Sequence, residues 1–254
     1  METKKRGGLV AIVVALIAAG TLIACVTIFT SGFVGYKKTA MGSGLTATGS
    51  ASSDFESDLI VWRGRFSAYG ETTADAYKII KKDAKLVKDY LLENGVSEEE
   101  LVFSSVDFYQ RSHTEYDEFG NYIRECPDGY DLDQSVTITS NDIDKVESIS
   151  RDISKLIESG VEFSSYSPEY YCTKLDEVKL DLIQKATDNA KQRIDIMAAG
   201  TGCRVGELMS ANLGVFQITA QNSGSGEYTY DGAFDTSSRY KTANITVRLN
   251  YATE

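Results

Sequence analysis

From Gly7 to Tyr36 the chain carries no charged residue: "GGLVAIVVALIAAGTLIACVTIFTSGFVGY". Roughly 20 apolar residues cross a ~30 Å hydrocarbon core, so this run is long enough to span a membrane as one helix. It is apolar on every face, whereas a helix at the edge of a soluble core keeps a polar side. Lys4, Lys5 and Arg6 precede it and only Lys37 and Lys38 follow closely, which favours an N-terminus on the inside. The expectation is a single-pass protein of the inner (cytoplasmic) membrane, with its remainder periplasmic. Leu22-Ile23-Ala24-Cys25 also fits a lipobox, which would make the protein a lipoprotein tethered through Cys25, and ordinary cleavage is a third possibility. The apolar run continues well past Cys25, which suits an uncleaved anchor better. All three routes leave the rest of the chain outside the cytoplasm.

Three regions follow from composition. Residues 1–38 form a cytoplasmic tip and membrane anchor. Residues 39–53, "TAMGSGLTATGSASS", are small and uncharged and read as a flexible spacer. Residues 54–254 read as one α+β domain. Beyond Arg6 the chain keeps 36 acidic and 23 basic residues, a net charge of −13, and that field repels nucleic acid. Cys25, Cys126, Cys172 and Cys203 show no metal-finger or CxxC spacing. Cys172 and Cys203 flank a long helix, so no essential disulfide is expected.

Periodicity sets the element order. A strand at Leu59–Tyr69 precedes a helix that Thr72 or Thr73 would cap, with an apolar stripe of Tyr77, Ile80, Ala84, Val87 and Leu91. A strand at Leu101–Gln110 leads through a hairpin tip at Phe119-Gly120-Asn121 to a returning strand ending in "QSVTITS". A second helix starts at Asn141-Asp142 with the stripe Ile143, Val146, Ile149, Ile153 and Leu156. A strand follows at Val161–Tyr171, then a long helix at Lys174–Ala199. Strands at Leu208–Gln221 and Ala243–Tyr251 finish the chain; in the latter Ala243, Ile245, Val247 and Leu249 alternate with polar residues. The fold expected is a βαββαβ ferredoxin-like lobe plus an αββ extension, preceded by one transmembrane helix.

Several segments together carry a family resemblance. They are "TATGSA", the helix ending "NGV", "GYDLDQSVTITSNDIDKVESI", "ESGVEF", "KATDNAKQRIDIMAAGTGCRVGEL" and the final "ANITVRLNY". In this order and spacing, over roughly Leu45–Glu254, the chain resembles the SIMPL-domain family. The resemblance implies an extracytoplasmic bacterial protein linked to oxidative-stress defence. "IVWRGRFS" and "SANLGVFQITAQNS" look most like its membrane-anchored, bacteroidete-type branch. The family commonly opens on a V-x-G-x-G strand, of which only Gly49 is kept here. It has no agreed catalytic motif, so no active-site residue carries over.

His113 is the single histidine and reads as an exposed loop residue; Asp131 and Asp133, two apart on a strand, read as surface charge. No catalytic residue, cofactor or metal is expected. The tyrosines point elsewhere. Tyr116 and Tyr122 flank the hairpin tip, while Tyr228, Tyr230 and Phe234 dot the glycine-rich stretch Asn222–Ser238. Aromatics in polar loops are favoured at protein interfaces, and these five are the candidate contact residues. Tyr228, Tyr230 and Phe234 are expected to pack either on this chain's own sheet or on a partner. The function expected is a non-enzymatic scaffold or interaction module of the cell envelope, bound to itself as a homo-oligomer or to another envelope protein. A hydrolase or redox enzyme with an unrecognised site is the alternative.

Overall fold

The computed structural model describes residues 19–30, 44–223 and 229–253. It is a mixed α/β protein with antiparallel sheets and four helices among the described residues. Residues 19–30 form helix α1, with Leu22, Ile23, Val26, Ile28 and Phe29 all exposed. Among the described residues no helix is long and apolar enough to cross a membrane. The rest of the expected span, residues 7–18 and 31–36, lies outside the described residues.

The chain divides into two compact units. The larger comprises Ser50–Ala186 and Gly214–Thr246. Its main sheet has six strands, ordered β3-β5-β2-β6, with β4 also paired to β5 and β7 to β2. These are β2 (Leu59–Gly70), β3 (Leu101–Phe103), β4 (Asp107–Tyr116), β5 (Tyr122–Ser140), β6 (Glu162–Ser165) and β7 (Glu169–Tyr171). Helices α2 (Thr73–Glu93) and α3 (Ile143–Asp152) connect them: β2 precedes α2, three strands lie between the helices and two follow α3, where one, two and one were expected.

Local chemistry explains the ends. Thr72 caps α2, accepting a hydrogen bond from Asp75 N at 3.2 Å, and Asp142 caps α3 through Lys145 N. Ile143, Val146, Ile149, Ile153 and Leu156 are all buried, as their spacing requires. On α2 the buried face is Ala76, Ile80, Asp83, Val87 and Leu91; Tyr77 is exposed, a correction to the expected stripe. Ala76 fits where Tyr77 would not, because its backbone lies close against Gly70.

The core of this unit is aromatic. Trp62 is fully buried, 6.1 Å from Phe163 ring to ring, and Phe163 stacks 6.3 Å from Phe66. Gly64 permits this, since a Cβ there would stand 2.8 Å from both Trp62 Cη2 and Phe163 Cε1. Trp62 Nε1 donates to Ser165 Oγ at 3.1 Å, and Ser165 Oγ donates to the Ser150 carbonyl at 2.7 Å.

Two expected strands are broken. Val161–Tyr171 becomes β6 and β7 on either side of Pro168, which has no N–H to give a ladder. Leu101–Gln110 becomes β3 and β4: Ser104 still pairs in the β3 register, its N donating to the Ser135 carbonyl at 2.9 Å and its Oγ accepting from Ser135 N at 3.0 Å, and β4 then resumes one residue out of step.

The second unit comprises residues 1–49, Thr187–Leu213 and Val247–Glu254. Its sheet places the start of β1 (Gly44–Glu56), the end of β10 (Tyr240–Thr253) and β8 (Val205–Leu213) in that order. Residues 44–53 are therefore strand rather than spacer, a correction to the reading from composition. Thr46 and Thr48 are β-branched and alternate with buried or small residues, a pattern that their lack of large apolar side chains conceals. Arg193 Nη1, on α4 (Leu175–Thr201), donates to the Thr48 carbonyl at 2.9 Å. β9 (Gln217–Ala220) is separate from β8, so the expected strand Leu208–Gln221 is also interrupted. Gly214 N extends the β8 register by donating to the Thr246 carbonyl at 2.8 Å, and β9 then pairs with β10 one residue out of step.

Glu100 offers a pH-dependent test of this packing. Its carboxylate accepts from Ser140 Oγ and, against a burial cost, from Ser97 N and Oγ at 2.8 and 3.0 Å, which together hold it below the usual glutamate value. A carboxylate depressed by folding stabilises above its unfolded value, near 4.5, and loses that contribution as pH falls through its folded value. Glu100→Gln is expected to cost about 1 kcal/mol at pH 7. Urea unfolding should show that cost shrinking well below pH 4.5; a pH-independent difference would contradict the assignment.

Candidate interaction surface

The long strand β5 has two partners in succession. Tyr130–Ser140 pairs with β2, ending at Gly70↔Tyr130, whereas Tyr122–Asp133 pairs with β4. Beyond β2, the segments Ser112–Tyr116 and Tyr122–Pro127 are paired only with each other. They form a two-stranded arm in which every residue is exposed or half-buried. An isolated two-stranded ribbon is marginal in water, so the arm is held by specific polar contacts.

Those contacts are visible at its root and tip. At the root the register slips between Gln110 and Ser112, and Gly129 adopts φ +80°. A side chain at 129 would meet the Tyr69 hydroxyl and the Gly70 carbonyl at 2.7 Å. Arg111 lies 5.0 Å over the Tyr69 ring and pairs through Nε with Asp131 at 2.9 Å, while Arg65 pairs with Asp133. Asp131 and Asp133 are thus ion-paired strand residues. At the tip, Asp117 Oδ1 accepts from Phe119 N and Asn121 N at 2.9 and 2.8 Å, an Asx-type turn.

Tyr116 and Tyr122 are brought together as register partners across that turn. They are 62% and 64% exposed, and Phe119 between them is 88% exposed. Phe108 and Tyr109, adjacent in β4 and so on opposite faces, are exposed as well. Phe108 was missed as a contact residue, because aromatics in a strand usually signal a buried face, and Phe119 was read only as part of the hairpin tip.

The second candidate surface lies between β9 and β10. Tyr228 falls outside the described residues. Tyr230 is 96% exposed, lining a hollow of about 290 Å³ with Val215, Gln217 and Ile245. Phe234 is half covered, with an isolated bridge to Ile218. Gln217 pins this stretch: Nε2 donates to the Thr229 carbonyl at 2.8 Å, and Oε1 accepts from Ala233 N at 2.9 Å. Tyr230 is thus open to a partner and Phe234 partly a cover for β9.

His113 is on β4 rather than in a loop, directly opposite Cys126, and Glu115 follows two residues on along the same face. Arg124, opposite Glu115, donates from Nε to Glu115 Oε2 at 2.7 Å. Lys241 is another residue that sequence reasoning passed over. It is 2% exposed, its Nζ donates to the Asp235 carbonyl, and Asp235 Oδ2 lies 3.7 Å away. Burial pushes its pKa down. It shares strand parity with Ala243, Ile245 and Val247, the signal that could have found it.

A further hollow of about 640 Å³ is lined by Glu56, Ser57, Asp58, Asn141–Asp144 and Arg239. Arg239 is tied to Glu56 at 2.7 Å and to Asp144 at 2.5 Å, lying 5.6 Å from the Tyr240 ring. Beside it, Tyr170 donates to Glu147 at 2.9 Å, and its phenol is pushed up to about 12 by burial and that carboxylate. The four cysteines are free; burial raises the Cys172 thiol.

Residues 45–251 match the SIMPL family, described as a protein of unknown function (DUF541). The chain belongs to that family. The match spans β1 to β10 and so covers both units. No curated protein matches the sequence. For a SIMPL domain the family therefore supports the expected domain type, and the site must be argued from its own geometry.

Proposed function

We propose that this SIMPL protein is a non-enzymatic interaction module of the bacterial envelope that self-associates through the β4–β5 arm. The observation that carries the proposal is the arm itself, exposed on both faces and tipped by Tyr116, Phe119 and Tyr122. Aromatic area is costly to leave in water and dominates contact energetics once covered. β4 adds an open edge, a second route to pairing with another copy.

The proposal includes the membrane. Residues 7–36 serve as a single-pass anchor, N-terminus inside, as in a membrane-anchored branch of the family with a link to envelope or oxidative stress. Its support is the uncharged run and the bare apolar surface of α1, where Thr27 and Thr30 hydroxyls donate to their own helix carbonyls at 2.9 and 2.7 Å. In the same reading, β2 to β7 form a ferredoxin-like lobe, and α4 with the following strands is its extension.

A photo-crosslinking residue placed at Phe119 or Tyr122 in intact cells tests both halves. Carbonate-washed membranes should contain an adduct of two copies of the chain, and the same residue at exposed Tyr77 on α2 should give none. Adducts at Tyr77 but not on the arm would contradict the contact surface. Recovery of the protein in the wash would contradict the anchor.

A further inference from the structure

We infer that one face of the β4–β5 arm is a metal site for a zinc-like divalent ion, with His113, Glu115 and Cys126 as its three protein ligands. Strand register alone assembles this set. His113 and Cys126 are opposite one another in the ladder, and Glu115 lies two residues along, so all three side chains leave the same face. One ligand atom from each, an imidazole nitrogen, a carboxylate oxygen and the thiol sulfur, lies within 4.8 Å of the others. Around a tetrahedral zinc with ordinary bond lengths, ligand atoms sit about 3.3–3.6 Å apart. Closing the difference takes about 1 Å of side-chain movement, which the exposed His113 and half-buried Glu115 and Cys126 can supply.

The donor set selects the ion. One thiolate, one imidazole and one carboxylate suit zinc and its borderline-soft neighbours, and are a poor match for calcium or magnesium, which take oxygen. Three protein ligands leave a fourth position for water or an incoming group. The only histidine of the chain is thereby placed beside one of its four cysteines. The negative charge of the domain favours cation approach. Arg124 occupies Glu115 through Oε2, so the ion takes Oε1 and the guanidinium remains as an outer partner of the carboxylate and the thiol. Binding converts the Cys126 thiol to a thiolate and releases its proton to solvent. The site stands whether or not the arm is a contact surface.

Cobalt is the direct probe. Reduced, chelator-treated full-length protein in detergent, titrated with Co²⁺, should develop a sulfur-to-cobalt charge-transfer absorption that saturates at one ion per chain. Zn²⁺ should abolish it by displacing Co²⁺ with no further proton release, whereas either ion binding to the metal-free protein should release about one proton as the thiol becomes a thiolate. Cys126→Ser should remove the band. His113→Asn and Glu115→Gln should each weaken binding by more than about tenfold. Cys25→Ser, Cys172→Ser and Cys203→Ser should leave it unchanged. All three ligands lie on the exposed arm, and circular dichroism identical to wild type would show that these variants keep the fold. A band that survives Cys126→Ser, an undiminished affinity in His113→Asn, or no saturable band in the wild type would each overturn the site.

Discussion

Replacing Trp62 with alanine is expected to cost about 3–5 kcal/mol of stability, among the largest losses available to a single substitution. The indole is fully buried, stacks on Phe163 and donates its N–H to Ser165. Truncation opens a cavity beside the Phe163 ring and Gly64, which has no side chain to fill it. It also strips Ser165 of a donor. For a domain of this size the melting temperature should fall by roughly 10 °C. Tyr109→Ala, at an exposed ring of the arm, should change unfolding by no more than about 0.5 kcal/mol. Equal losses in the two variants would mean that the aromatic core is misplaced.

Much of this architecture is legible because period and burial coincide. Ala243, Ile245, Val247 and Leu249 alternate along β10 and are buried, and the α3 stripe is buried in full. The Thr72 and Asp142 caps are local chemistry, and local chemistry is what a sequence displays best. The breaks in the long strands depend instead on distant partners. Ser104–Ser135 and Gly214–Thr246 still continue the β3–β5 and β8–β10 registers, and β4 and β9 then resume one residue out of step, which no window around either residue announces. β1 was hidden for a different reason: its threonines, alanines and glycines carry the backbone ladder to β10 without any hydropathic contrast.

The candidate contact residues divide the same way. Tyr116 and Tyr122 were placed by the polar segment around them, and the turn at Asp117–Asn121 makes them partners. Phe108 and Tyr109 sit in a strand whose alternation looks half-buried. Only the register shows that β2 ends before the arm does. The pairing of His113 with Cys126 is equally non-local: a shift of one residue in the ladder would put them on opposite faces.

Converting Tyr116, Phe119 and Tyr122 together to serine should have the largest effect on assembly. Each ring is more than 60% exposed, and none is needed by the core of this chain. A buried aromatic anchor at an interface commonly contributes about 2 kcal/mol or more. Losing three should cost about 6 kcal/mol, roughly four orders of magnitude in dissociation constant. The turn itself is held by Asp117 and Asn121, which the substitutions leave in place.

The decisive measurement is the protein mass of detergent-solubilised full-length chain by light scattering, with detergent subtracted. The wild type should give a multiple of the 27.8 kDa chain, and the triple serine variant a single chain with an unchanged melting curve. A wild type of one chain, or a variant that keeps the wild-type multiple, would contradict association through the arm.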